Sequence, residues 1–320
     1  MTPWSQFADA ALLAALNSLW QSAGIACVVA LAFRLRKGID AATRHAVWWA
    51  ALAAIVTLPF LPARPAPVAR PATRPALQAP STNPPALLPP LPSARQPHEV
   101  RAGALPSLVM AGWILLSALL LGRLFRSGLR LRGLIGRCAL PPEYAARRFG
   151  LWRNGRRATL LVSDEIASPM ACSFLPPVVV LPGSLLGKIS EAELDHILLH
   201  ELAHVARRDQ WTNLLARVTG ALFALHPVAA WVLRNIERER ELACDEWVVA
   251  TTGAPRPYAA TLARLFELCR GRRREMLATG MAQKTSRLGE RIETLVAATY
   301  SARHRVSWVR LAIAVTVLLL

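Results

Sequence analysis

The sequence predicts a mainly α-helical membrane protein with several spans and one cytoplasmic α+β domain. Three observations predict this class. Hydrophobic residues make up 53% of the 320 residues, and the mean hydropathy of +0.31 is high for a soluble domain. The apolar residues are concentrated in a few long runs, which is typical of membrane helices. Arginine-rich segments flank those runs, as in the cytoplasmic loops of membrane proteins.

Two apolar runs predict two transmembrane helices within residues 1–61. The first covers about residues 10–33, which is long enough to cross a bilayer as a helix. No Lys or Arg precedes Arg34, and this argues against a cleaved signal peptide. The second covers about residues 46–61 and has two tryptophans near one end, where interfacial aromatic residues are common.

The rest of the chain divides by composition. Residues 62–106 are dense in Pro and Ala and predict an extended extracytoplasmic linker. Residues 107–125 predict a third span, and residues 126–305 a cytoplasmic domain. Residues 306–320 predict a fourth span that is cut short where the sequence stops. Basic residues at 34–45 and after the third span set this orientation by the positive-inside rule.

The net charge of +18 does not by itself indicate a nucleic-acid-binding protein. Most of the excess is arginine beside apolar runs, and contact with an anionic bilayer surface explains that placement better than DNA does. We therefore expect the lipid bilayer, and no nucleic acid, as a direct partner. The five cysteines include no CxxC pair, so we expect reduced thiols and no disulfide.

One predicted helix carries a metal-binding pattern. Ser190 and Glu193 have the spacing of a capping box, which predicts a helix over about Glu191–Arg208. Within it, His200 and His204 lie one turn apart on one face, so both imidazoles can bind the same tetrahedral ion.

Glu201 completes the HExxH pattern of zinc metallopeptidases. It lies on the same side of the helix as the two histidines, where its carboxylate can act as general base towards the attacking water. The competing interpretation is a helix with two solvated or core histidines. His196 and His200 also form an i, i+4 pair, but Ile197 would then occupy the position of the base.

A catalytic zinc site needs a third protein ligand. Glu241 and Asp245 lie one helical turn apart at the start of an apolar segment, where a buried carboxylate requires a partner. Glu237 lies one turn earlier, among arginines, and periodicity alone does not select Glu241 over Glu237.

The motifs together resemble the integral-membrane metallopeptidases that include the β-lactam sensor and antirepressor proteins of bacteria. The resemblance covers nearly the whole chain except residues 62–106. It rests on these segments: Ser168–Pro182, His200–His204, Arg208–Asp209, Asn213, Trp231 and Arg240–Asp245.

The resemblance implies a zincin-like, gluzincin-type domain with Zn²⁺ as cofactor. His200, His204 and Glu241 would be the zinc ligands, Glu201 the general base, and Asp245 an acceptor that orients a ligand histidine. The small β element would lie at residues 159–162 and 178–181, and one of these two strands would receive an extended substrate.

The implied activity is that of a zinc endopeptidase in regulated proteolysis at the bacterial cytoplasmic membrane, with a cytoplasmic repressor or the protein itself as substrate. Known receptors of this type carry an extracellular sensor domain after the fourth span. Residues 1–320 contain no such domain, so β-lactam sensing is not implied. The alternative is a catalytically silent signalling or scaffold protein that keeps the fold.

Three further expectations concern the surroundings of the site. The apolar segment 218–233 favours a pair of helices that cover the zinc helix over a re-entrant membrane element. Residues 286–296 have apolar residues at helical spacing and predict a helix. Candidates for stabilising the oxyanion are Tyr258, His226, Arg234 and Arg238.

Overall fold

A computed structural model describes residues 3–36, 38–60, 104–172, 176–273 and 281–297. The predicted linker up to residue 103 and the predicted fourth span lie outside these ranges. In chain order the elements are α1 (Pro3–Leu35), α2 (Ala41–Thr57), α3 (Leu105–Arg137), α4 (Glu143–Arg153), β1 (Thr159–Ser163), β2 (Met170–Cys172), β3 (Val178–Pro182), α5 (Glu191–Arg207), α6 (Asp209–Leu222), α7 (Pro227–Thr252), α8 (Pro255–Arg273) and α9 (Met281–Ala297).

Two described helices are long and apolar enough to cross a membrane by length and composition: Phe7–Leu35 within α1, and all of α3. The third apolar run continues as one helix to Arg137, well beyond its predicted end at residue 125. Leu131 and Leu134 at its far end pack against the sheet, so α3 leads directly into the domain. The second predicted span forms α2, which at 17 residues is shorter than these two helices.

Helices α6 and α7 form a hairpin whose tip lies among α1, α2 and α3. The Trp113 indole N–H of α3 donates to the Leu222 carbonyl at the tip (2.7 Å). Trp231 of α7 packs edge-on against Trp48 of α2, with ring centroids 5.2 Å apart. The expected pair of helices is therefore present, and its apolar segment 218–233 packs on the N-terminal helices.

Polar contacts fix the N-terminal end of α2 on the middle of α7. The Arg44 guanidinium pairs with the Glu239 carboxylate at 2.7 Å, and the Glu239 side chain is only 2% exposed. The Glu246 carboxylate accepts from the Ala41 backbone N–H at 3.1 Å. These contacts hold α2 beside the part of α7 that carries Glu241.

The sheet has the order β1–β3–β2, with β1 and β3 parallel and β2 and β3 antiparallel. The predicted strands at 159–162 and 178–181 are confirmed as β1 and β3. Strand β3 is central and fully buried, so it cannot receive a substrate strand. Of the two strands expected to receive an extended substrate, only β1 lies at an edge, and β2, an edge strand that packs against α5, is a further candidate that the sequence did not indicate.

Helix α5 begins where its capping box predicts. The Ser190 hydroxyl accepts from the Glu193 N–H, and the Glu193 carboxylate accepts from the Ser190 N–H at 2.7 Å. Its apolar face, including Leu194, Leu198 and Leu202, packs on α4, β1 and β3. The opposite face therefore turns His200 and His204 away from this core.

Helix α9 confirms the helix predicted over residues 286–296. Leu288, Ile292 and Leu295 pack on Tyr258 and Leu262 of α8 and on the end of α7, whereas Val296 is exposed. This packing brings the charged face of α9 to the metal-binding face of α5.

Replacing Arg44 by Met is expected to destabilise the protein, because it leaves the buried Glu239 carboxylate without its closest cation. We expect a loss of about 2 kcal/mol, or a fall of roughly 5 °C in the midpoint of thermal unfolding in detergent. Arg137→Met is the matched control, since the Arg137–Glu165 pair is exposed on both sides. Equal midpoints for the two variants would contradict the proposed attachment of α2 to α7.

Candidate metal centre

Three predicted ligands meet where α5 and α7 cross. Glu241 Oε2 lies 3.7 Å from His200 Nε2 and 4.0 Å from His204 Nε2. The ligand atoms of the three residues all lie within 4.8 Å of one another. Glu237 is not part of this group.

The donor set fits a zinc ion. Ligand atoms bound to one tetrahedral zinc lie about 3.3–3.6 Å apart, given bonds of about 2.0–2.2 Å. The distances here are wider by a few tenths of an ångström, which small side-chain rotations can remove. Two imidazoles and one carboxylate are also the donors found in many catalytic zinc sites, where the fourth position stays open.

A tight turn after α5 orients His204. Arg208 has a left-handed backbone (φ 57°), which ends α5 and starts α6 at the next residue. Asp209 thereby places its Oδ2 atom 2.8 Å from His204 Nδ1. An ionised carboxylate can only accept, so Nδ1 carries the hydrogen and Nε2 presents its lone pair to the ligand cluster.

His200 is oriented through a tyrosine. The Tyr258 hydroxyl donates to Asp245 Oδ1 at 2.6 Å and lies 2.9 Å from His200 Nδ1. Asp245 Oδ1 itself lies 3.4 Å from that nitrogen. The expected role of Asp245 thus has a structural basis, although the contact runs largely through Tyr258, which the sequence did not link to it.

Two arginines surround the carboxylates of α7. Arg291 of α9 forms two hydrogen bonds to Asp245, at 2.7 and 2.6 Å, and its Nη1 atom lies 3.7 Å from Glu241 Oε2. Arg240 donates to Glu241 Oε1 at 2.9 Å. The two oxygens of Glu241 therefore have different environments, and Oε2 faces the histidines.

These charges determine the ionisation of the cluster. Burial raises the pKa of the Asp245 carboxyl, but the Arg291 cation and the bond to His200 hold it at about 2. Burial is likewise outweighed at Glu241, where His200, His204 and Arg291 lower the pKa well below its usual value. Burial also opposes a charge on His200, yet Asp245 and Glu241 raise its pKa to about 9, so without a metal ion Nε2 carries a proton that a bound ion would displace. Both carboxylates are thus ionised at neutral pH, as ligands and acceptors require.

Glu201 is buried on the same helix and lies towards strand β2. Burial, Cys138 and the Glu201 charge together raise the pKa of the Cys172 thiol in β2 to about 11. Within the described ranges, no cation and no hydrogen-bond donor pairs with the Glu201 carboxylate. Glu201 directly follows His200 in the sequence, on the helix that carries both histidines.

A second group of possible ligands overlaps the first. His204, Asp209 and Cys244 also bring their ligand atoms within 4.8 Å of one another. However, the 2.8 Å separation of His204 Nδ1 and Asp209 Oδ2 is that of a hydrogen bond, which leaves no room for an ion between them. Burial raises the pKa of the Cys244 thiol well above its usual value, so this thiol remains protonated. The first group is the better metal site.

The other residues considered from the sequence are not ligands in this cluster. His196 Nδ1 lies 2.9 Å from the Thr261 hydroxyl, away from the ligand cluster. Tyr258 is fully buried and bonded to Asp245, His226 caps α7 at the hairpin tip, and Arg238 pairs with Glu290. No contact among the described residues selects one of the four as the oxyanion-stabilising group. In the sequence, Asp209 stands out only as part of the family resemblance, and neither its contact with His204 nor the role of Arg291 follows from local spacing.

Comparison with protein families gives an independent result. The family model described as BlaR1 peptidase M56 matches residues 12–295, which is most of the chain. The match includes every residue of the ligand cluster, all of α3 and all but the first residues of Phe7–Leu35.

Matches to individual relatives cover smaller parts of the chain than the family model does. Over 31% of its length, this chain is 27% identical to the regulatory protein BlaR1 of Bacillus licheniformis. Over 29% of its length, it is 28% identical to the methicillin resistance mecR1 protein of Staphylococcus aureus (strain Mu50). Each match spans only 16% of the relative. The chain is also 31% identical to protease HtpX homolog 1 of Streptomyces coelicolor, over 28% of this chain and 40% of the relative.

Asp209→Asn tests whether the negative charge of Asp209 strengthens zinc binding through His204. Asn can still accept from His204 but lacks the negative charge, so we expect zinc affinity to fall about tenfold. A chelator-competition titration measures this without relying on activity. The matched control is Asp195→Asn, on the same helix as His204 but paired with Arg148. Equal affinities for the two variants would argue against the role of Asp209.

Proposed function

The chain belongs to the BlaR1 peptidase M56 family, and on that basis we propose that it is a membrane-embedded, zinc-dependent endopeptidase that acts in regulated proteolysis. The observation that carries the proposal is the convergence of His200, His204 and Glu241, with Glu201 next to His200 on the same helix and unpaired among the described residues. A metal ligand set next to a free general base is the minimum arrangement for peptide hydrolysis with water as nucleophile.

Each residue has a defined part in this proposal. His200, His204 and Glu241 would hold zinc, which when bound makes water a stronger acid and polarises the peptide carbonyl. Glu201 accepts the proton of the attacking water and returns it to the leaving amine. Asp209 and the Tyr258–Asp245 pair keep the two imidazoles in the tautomer that presents Nε2.

Strand β2 is the proposed binding edge for the substrate. It packs against α5, and its partner β3 lies on one side only, so its other edge can pair with an extended peptide. Main-chain hydrogen bonds along β2 would place the scissile bond near Glu201. An unfolded or extended segment of a protein is the substrate class that fits this edge.

The position of the site favours a protein substrate close to the bilayer. Helix α7 carries Glu241 in its second half, whereas its first half packs on the N-terminal helices α1 and α2. Following the basic flanks of the apolar runs, we propose that the site faces the cytoplasm. A cytoplasmic repressor or the chain itself are the proposed substrates, in keeping with the regulatory relatives that the chain resembles.

Two substitutions test the proposal against a catalytically silent scaffold. Glu201→Ala leaves all three ligands in place, so we expect zinc content near wild type and loss of peptide cleavage. His200→Ala removes a ligand, so we expect both zinc and cleavage to be lost. Metal analysis and cleavage of an unstructured protein substrate by the purified protein measure the two effects.

Glu191→Ala, on an exposed position of the same helix, is the control and should retain both properties. Full proteolysis by Glu201→Ala would rule out the assigned base. A wild-type protein that binds zinc but cleaves neither itself nor any offered protein would support the scaffold alternative.

A further inference from the structure

An apolar cavity of about 550 Å³ lies between α1, α3 and the tip of the α6–α7 hairpin, away from the metal centre. Its walls are hydrocarbon and aromatic side chains from α1, Phe60, the start of α3 and the hairpin tip, and none of the described lining residues is Asp, Glu, Lys or Arg. Ala14, Met110, Trp113, Phe223 and His226 are among these residues. This size falls within the range of cavities that bind small organic molecules.

His226 gives the cavity one free hydrogen-bond donor. Its Nδ1 atom accepts from the Ala229 backbone N–H at 3.1 Å and so caps α7. An accepting Nδ1 carries no hydrogen, which places the ring hydrogen of the neutral imidazole on Nε2. Nε2 is buried and finds no partner among the described residues, and the residue as a whole is only 8% exposed.

The other polar groups of the cavity wall are already satisfied. The Ser18 hydroxyl donates to the Ala15 carbonyl at 2.8 Å, and the Trp113 N–H donates to Leu222. A trapped water needs two to four polar partners, and among the described lining residues Nε2 is the only buried side-chain atom without one. The occupant must therefore be largely apolar and must carry one acceptor.

The surroundings indicate where this occupant comes from. Leu13 and Leu16 of α1 and Leu108 of α3, on the outer faces beside the cavity, are 55–68% exposed. These are the two helices that are long and apolar enough to cross a membrane. Once they lie in a bilayer, the neighbouring medium is lipid hydrocarbon, which enters an apolar cavity without desolvation cost.

We propose that the cavity is a binding site for one acyl chain of a membrane phospholipid, whose ester carbonyl accepts a hydrogen bond from His226 Nε2. The chain fills the space between α1 and α3, and the carbonyl supplies the acceptor that His226 lacks. The inference rests on the proposed membrane placement but not on peptidase activity. It makes the hairpin tip, and through it α7, sensitive to the lipid next to it.

Retention of lipid by the full chain tests the site. The zinc-loaded protein is solubilised in mild detergent from vesicles of phosphatidylethanolamine and phosphatidylglycerol, and bound phospholipid is counted by native mass spectrometry. We expect one retained phospholipid for the wild type and none for Ala14→Phe, which fills the cavity. Ala32→Phe, at an exposed position of the same helix, is the matched control and should retain the lipid.

His226→Ser separates the donor from the cap. Serine still caps α7 but does not reach the cavity, so we expect retention about tenfold weaker, the factor of one hydrogen bond. Unchanged zinc content in each variant shows that the fold is intact. Equal retention by Ala14→Phe and Ala32→Phe overturns the proposal.

A cross-linking arm identifies the occupant. A phospholipid with a diazirine in its acyl chain should label Met110 and Phe223 in the wild type. If a cross-linker placed at these two positions instead reacts with residues 298–320, the cavity belongs to that segment and the lipid site is overturned. Carbonate extraction of the chain from vesicles would show that the membrane placement itself fails, whereas a chain that resists extraction but retains no lipid refutes the lipid site alone.

Discussion

Two ionised carboxylates of α7, the buried Asp245 and the partly buried Glu241, are the constraint on which the rest of the structure depends. Buried charges of this kind are costly unless cations and hydrogen-bond donors surround them. Arg240 and Arg291 supply the cations, and Tyr258 and His200 complete the shell. Because these partners come from α5, α7, α8 and α9, satisfying the two charges assembles four helices around one point. A divalent cation at Glu241 Oε2 is the further partner that this arrangement favours.

Helix α7 connects this point to the N-terminal helices. It is 26 residues long, and its first half packs on α1 and α2 while its second half carries both carboxylates. The Arg44–Glu239 pair fixes the junction. A displacement of the hairpin tip would therefore be transmitted along a single helix to Glu241, the proposed metal ligand, without a separate linker.

The local elements of the site could be predicted from the sequence, but the long-range contacts could not. The capping box and the i, i+4 histidines depend on spacing within one helix, and α5 forms as expected. Strand β2 has three residues and no strong strand former, so only its pairing with β3 defines it. Periodicity left Glu241 and Glu237 equivalent, because the crossing of α5 and α7 selects between them. Arg291 lies 46 residues from its partner Asp245, a distance at which no local pattern reports contact.

X-ray absorption spectroscopy at the zinc edge of the purified protein tests most directly whether His200, His204 and Glu241 hold the metal. Nitrogen and oxygen ligands lie at about 2.0–2.2 Å from zinc, whereas a thiolate sulfur lies at about 2.3 Å. We predict a first shell of two imidazole nitrogens and further oxygen atoms, with the imidazole scattering reduced by half in His204→Ala and no sulfur. A sulfur shell, which Cys244 would supply, or imidazole scattering unchanged in His204→Ala, would contradict the account.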